Sequence, residues 1–182
     1  MAVDAIRAAA DLGSMAAKTA LAEFHINGMN VSKDDKKGFD LLSEASDANY
    51  PRAIDGLAIC HRKGIGTKVN YAEAIRLFNV AIEKGFARSY GNLAAMHLNG
   101  EGTKQDDFKA VGLLQKGVRL ADPFCTYTYA RCLETGRGIK LDMILARENY
   151  KKAAEGGIAE AQKWCKDHGV DISRPAPLKM TL

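Results

Sequence analysis

Three residue patterns in this chain have the types and spacing that could do chemistry. The first is HLNGEGTKQDD, residues 97–107, where two glycines precede Thr103 and Lys104. Backbone N–H groups close on a phosphate only where no side chain intervenes, so such a loop is a candidate phosphate cradle. The second is a column of histidines, His25, His61 and His97, evenly spaced by 36 residues. Imidazole is the commonest metal ligand and a frequent general base. The third is a set of four cysteines, Cys60, Cys125, Cys132 and Cys165.

Each pattern loses its chemical reading on inspection. A phosphate loop needs GxxxxGK[ST] between a strand and a helix, whereas Gly100-Glu-Gly-Thr-Lys has another order and places Glu101 where it would repel phosphate. If the histidines belong to stacked helical units, they are about 10 Å apart. Two ligands of one zinc ion must lie within about 4 Å, given zinc–nitrogen bonds near 2.0–2.1 Å. The expectation is therefore a packing imidazole that bonds a loop carbonyl, with no metal site. No histidine has a sequence-visible nucleophile or orienting carboxylate, so no catalytic residues are assigned. The cysteines lack CxxC spacing, and in a helix Cys125 and Cys132 would be about 10 Å apart along the axis, beyond disulfide reach. They read as reduced core thiols.

The glycine loop is informative because it recurs. NGMNVSKDD, KGIGTKVNY, NGEGTKQDD and TGRGIKLDM begin at 27, 63, 99 and 135, with lead glycines Gly28, Gly64, Gly100 and Gly136 spaced by 36. A second glycine follows at Gly66, Gly102 and Gly138, with Asn30 in the first copy; asparagine is the side chain that best tolerates positive φ. Six residues after each lead glycine stands Asp34, Asn70, Asp106 or Asp142, each an N-cap type.

Between the loops the apolar pattern is helical. Leu21, Leu57, Leu93 and Tyr129 precede the lead glycines, followed by Ala22, Ala58, Ala94 and Ala130. Downstream, Gly38, Ala74, Ala110 and Ala146 are followed at i+4 by Leu42, Phe78, Leu114 and Tyr150, and three later by Ala45, Ala81, Gly117 and Ala153. This i, i+4, i+7 series marks one helix face. First helices are expected near 14–26, 51–62, 87–98 and 123–134, and second helices near 35–47, 71–83, 107–119 and 143–155. Half-repeats at 2–9 and 159–167 bring the total to ten helices. The architecture is all-α, one domain over 1–169, with an extended tail over 170–182 that contains two prolines.

Composition agrees with a globular chain of this kind. Of 182 residues, 47% are apolar and 26% charged, and the formal net charge is only +4, without the basic block expected of a nucleic-acid binder. No run reaches the roughly 18 apolar residues of a membrane span, and MAVDAIRAAADLGSMAAK lacks a signal-type apolar stretch. A cytoplasmic location without membrane insertion is the expectation, and no cofactor is assigned.

The alanine-leucine-alanine first helix, the G-x-G loop followed by Asp, and the closing AAE-G resemble the Sel-1-like repeat family. Residues 136–157, GRGIKLDMILARENYKKAAEGG, carry the pattern most clearly. The resemblance implies hairpins related to tetratricopeptide repeats, stacked into a right-handed superhelix whose concave side is lined by first helices and binds proteins. It also implies roles as adaptors in signalling, quality control, virulence or toxin immunity. The chain departs from the family where His25, His61, His97 and Leu133 replace an expected aromatic residue. It also lacks the paired cysteines of members reported to bind penicillin-like ligands, so an enzyme-like role is not carried over.

Within this register, the positions twelve, nine, eight and five before each lead glycine should face the concave side. They are Arg52, Asp55, Gly56 and Ile59, then Arg88, Gly91, Asn92 and Ala95, then Phe124, Tyr127, Thr128 and Arg131, with Glu160, Lys163 and Trp164 on the last helix. Tyr, Trp and Arg dominate binding hot spots, so Arg52, Arg88, Asn92, Phe124, Tyr127, Arg131, Lys163 and Trp164 form the candidate partner-binding set. The structural alternative is that Phe124 and Trp164 cap the last hairpin. A protein-binding scaffold is the leading function, with a toxin-blocking immunity protein as the alternative and a hydrolase disfavoured. Because both ends lie in mid-repeat, end-to-end self-association is a further expectation.

Overall fold

Each glycine loop ends one helix and starts the next. The lead glycines adopt left-handed φ of 65, 71, 69 and 69°, and their N–H groups bond the carbonyls of Phe24, Cys60, Met96 and Cys132. This satisfies acceptors that would otherwise be orphaned at a helix end. Asp34, Asn70, Asp106 and Asp142 each accept a hydrogen bond from the N–H three residues on, at 2.9 to 3.0 Å. Pro51 and Pro123 occupy first-turn positions, where a missing N–H costs nothing.

The structure is a computed structural model that describes residues 2–172. The described residues form ten helices: α1 (Ala2–Asp11), α2 (Met15–Asn27), α3 (Asp35–Asp47), α4 (Pro51–Lys63), α5 (Tyr71–Glu83), α6 (Arg88–Asn99), α7 (Asp107–Arg119), α8 (Pro123–Thr135), α9 (Met143–Glu155) and α10 (Ala159–Asp167). Neighbours in sequence are neighbours in space throughout, as in a solenoid of helical hairpins. Most of the expected tail, from residue 173 onward, lies outside the described residues.

The core follows the small–large alternation. Ala22, Ala58, Ala94 and Ala130 on the first helices, and Leu42, Phe78, Leu114 and Tyr150 on the second, are buried. Each large side chain so buried contributes about 1.5–3 kcal/mol. All four cysteines are free and buried. Burial pushes the Cys60 thiol up to about 12, so it stays protonated and unreactive at neutral pH.

The second glycine has two reasons to be glycine. Gly138 has φ of +68°, and a Cβ there would fall 2.2 Å from the carbonyl oxygen of Asp107, at the start of the previous second helix. A Cβ on Gly66 would fall 2.2 Å from the Asp35 carbonyl oxygen, and one on Gly102 would fall 2.3 Å from the Tyr71 Cβ. Asn30, which stands in this column in the first copy, adopts the same left-handed conformation at φ 60°. A second positive-φ column, Gly13, Asn49, Gly85, Ala121 and Gly157, turns the chain from one hairpin to the next.

The histidine column departs from expectation at two positions. His25 Nδ1 lies 3.3 Å from the Ser32 carbonyl oxygen, but the Nδ1 atoms of His61 and His97 have no hydrogen-bond partner among the described residues. The loop is closed by main chain instead: the N–H groups of Asp34, Asn70, Asp106 and Asp142 donate to the carbonyls of His25, His61, His97 and Leu133. That bond is indifferent to the side chain, which is why leucine can replace histidine in the fourth copy. The His61 ring packs edge-on against Phe39 at 5.5 Å.

Candidate binding surface

The outward positions of the first helices gather into two depressions. Arg52, Asp55, Gly56 and Ile59 on α4, with Arg88 on α6, line one of about 670 Å³. Phe124, Tyr127, Thr128 and Arg131 on α8, with Ala95 and Leu98 on α6, line another of about 530 Å³. Every predicted position of the second and fourth units is thus on this surface, one set per depression.

Between the depressions stands a stacked pair. The Arg88 guanidinium lies 5.0 Å from the centre of the Phe124 ring, and the ring rests on Gly91, where a Cβ would come within 2.7 Å of it. Glycine is therefore what lets the ring lie down between two helices. A second cation–π contact places Arg131 over Tyr127 at 5.9 Å. Both arginines are exposed and both rings half-buried, so each guanidinium is held in place while its N–H groups face solvent.

The column eight residues before the lead glycine lies at the seam between repeats. Gly56 meets Leu42 of the preceding second helix, and Trp164 stacks on Tyr150 at 4.1 Å. Trp164 Nε1 donates to Glu134 Oε1 at 2.9 Å, and Tyr150 Oη donates to Glu134 Oε2 at 2.5 Å. Burial, then Glu134, push the Tyr150 hydroxyl far up, so it remains a donor. Trp164 is therefore held within the last hairpin, with His168 stacked on its other face at 4.0 Å. Asn92 is also committed inward, its side chain buried and its amide bonded to Asp55. Lys163 is exposed beside Val170 and Ile172 at the C-terminal end. There Lys166 occupies the place that Ala22, Ala58, Ala94 and Ala130 hold elsewhere, giving α10 a polar outer face.

Asp55 was the least expected feature of the surface. It is 4% exposed at the floor of the first depression, accepts from Ser89 Oγ at 2.6 Å, and is raised above the usual carboxylate range by burial, partly offset by Ser89 and Asn92. In the sequence it shows as a lone acid in a column otherwise Thr19, Gly91, Tyr127 and Lys163. Arg52 is paired with Glu23 at 2.9 Å. Among the described residues no cluster of His, Cys, Asp or Glu has metal-binding geometry, and no helix is long and apolar enough to cross a membrane.

The repeat register finds its counterpart in known proteins. The Sel1 repeat family matches residues 16–50, 51–86, 87–122 and 123–158. The chain belongs to the Sel1 repeat family. Among solved structures it is similar to a Sel1 repeat protein from Oxalobacter formigenes, with 27% identity and TM-score 0.74 over 95% of this chain and 73% of that one. Two others share the fold. One is c5321, a protective antigen of uropathogenic Escherichia coli, at 24% identity and TM-score 0.67 over 92% of this chain and 36% of its own. The other is Helicobacter pylori cysteine rich protein B, at 20% identity and TM-score 0.57 over 72% and 95%. No curated protein matches the chain. Sel1 repeat proteins commonly act as protein–protein interaction scaffolds.

Proposed function

We propose that this Sel1 repeat protein is a non-catalytic scaffold that captures a protein or peptide partner on the surface formed by its first helices. The observation that carries the reading is the pair of arginine–aromatic stacks, Arg88 on Phe124 and Arg131 on Tyr127, beside two open depressions. Aromatic and arginine side chains held in one conformation lose little entropy on binding, which is what makes an anchor effective. Arg52 and Lys163 stand at the rim of this surface, while Asn92 and Trp164 support it from within.

The test is capture of a partner by immobilised protein, comparing wild type with a Tyr127→Ala, Arg131→Ala double variant. Loss of the partner with folding unchanged supports the reading. Undiminished capture overturns it.

A further inference from the structure

Among the described arginines, Arg7, Arg52, Arg62, Arg76 and Arg137 each hold a carboxylate, those of Asp4, Glu23, Glu101, Glu73 and Asp107, while Arg119 and Arg147 are exposed on the second helices. Arg88 and Arg131 have none within ion-pair reach among the described residues; each is held instead over an aromatic ring. Among the described residues no acid lines the depression beside Arg131, whose apolar side is Ala95, Leu98 and Cys132. The acids nearest Arg88 are otherwise engaged: Asp55 by Ser89 and Asn92, and Asp122 by the N–H of Cys125. An exposed arginine whose fork is fixed and empty is a site for a carboxylate from elsewhere.

We propose that this surface binds an extended peptide with two acidic side chains flanking a large apolar one. The inference rests on the concave-surface reading above and adds the chemistry of the occupant. Spacing follows from the repeat geometry. Arg131 lies seven residues along α8 from Phe124, about 10 Å at 1.5 Å per residue. Arg88, stacked on Phe124, is on a helix about 10 Å to the side. The backbone positions of the two arginines are therefore about 14 Å apart on the diagonal, which an extended chain covers in about four residues at 3.3–3.6 Å each. Extended residues i, i+2 and i+4 share one face. The pattern Asp-x-Leu-x-Asp therefore presents both carboxylates to the arginines and the leucine to the part of the depression between them, beside Ala95, Tyr127 and Thr128.

The test uses a fluorescein-labelled, amidated peptide, Ser-Asp-Ser-Leu-Ser-Asp-Ser, in anisotropy titrations, with Lys-for-Asp and Ser-for-Leu versions as controls. The acidic peptide should bind, weaken as salt rises, and lose about tenfold or more in affinity with either Arg88→Glu or Arg131→Glu. Arg131→Lys, which keeps the charge but not the fork, should fall between. Equal binding of the lysine peptide, indifference to both arginine variants, or no binding by any of the peptides overturns the proposal. Loss of the natural partner in the Tyr127→Ala, Arg131→Ala variant is read separately, so the concave surface survives a failure confined to the acidic peptide.

Discussion

Asn92 clasps Asp55 across a repeat boundary, its Nδ2 donating to both carboxylate oxygens at 2.9 and 3.1 Å. Among the described residues no cation pairs with this buried carboxylate, and its charge is relieved by the neutral donors Ser89 and Asn92 and by the more distant Arg88. This clasp joins the second repeat to the third directly beneath the first depression.

Asp55 makes stability fall as pH rises. Its pKa in the folded chain lies above the ordinary value, so its contribution is fully present below the unfolded pKa and is lost as pH rises through the folded one. Asp55→Asn retains an acceptor for Ser89 and removes the charge. The variant should therefore gain on wild type between pH 4 and pH 8 in urea titrations; an equal difference at both pH values would contradict this.

The two positive-φ columns should respond in opposite directions. Ala121, at φ 56°, adopts a conformation costing a non-glycine residue about 1–2 kcal/mol. Its counterparts Gly13, Gly85 and Gly157 would meet nothing within 4 Å if given a Cβ. Ala121→Gly should thus raise stability by about 0.5–1 kcal/mol, after its greater unfolded-state entropy is counted. Gly138→Ala should cost more than about 2 kcal/mol, because strain adds to collision with Asp107. Denaturant midpoints of both variants decide the point, and a destabilised Ala121→Gly would refute the strain at that turn.

Trp164 and Arg131 should separate stability from binding. Trp164→Ala removes the stack on Tyr150 and the bond to Glu134, costing about 2 kcal/mol or more. Arg131→Ala removes an exposed side chain and should change stability by less than about 1 kcal/mol. Equal losses in thermal melts would show that Arg131 is part of the framework.

Local rules made most of the fold legible. The left-handed glycines and the Asp or Asn caps act within six residues of one another, so their repetition located the eight helices that flank the loops, and the apolar register extended from them located α1 and α10. The clasp between Asp55 and Asn92 was not legible because it joins positions in different columns, 37 residues apart. Trp164 fell in a column assigned to the concave side, yet that column borders the preceding second helix. A glycine or threonine there leaves room, whereas the large indole reaches back to Tyr150 and Glu134. The hairpin turn at Ala121 was hidden because alanine occupies a place where glycine would have announced the backbone.

The most direct test of the account is the affinity of the captured partner for variants on opposite faces of the solenoid. A Tyr127→Ala, Arg131→Ala protein alters the first-helix surface, and an Arg119→Ala, Arg147→Ala protein alters exposed residues of α7 and α9. The account predicts that calorimetry shows binding lost in the first and preserved in the second. Binding preserved in the first, or lost only in the second, would contradict it.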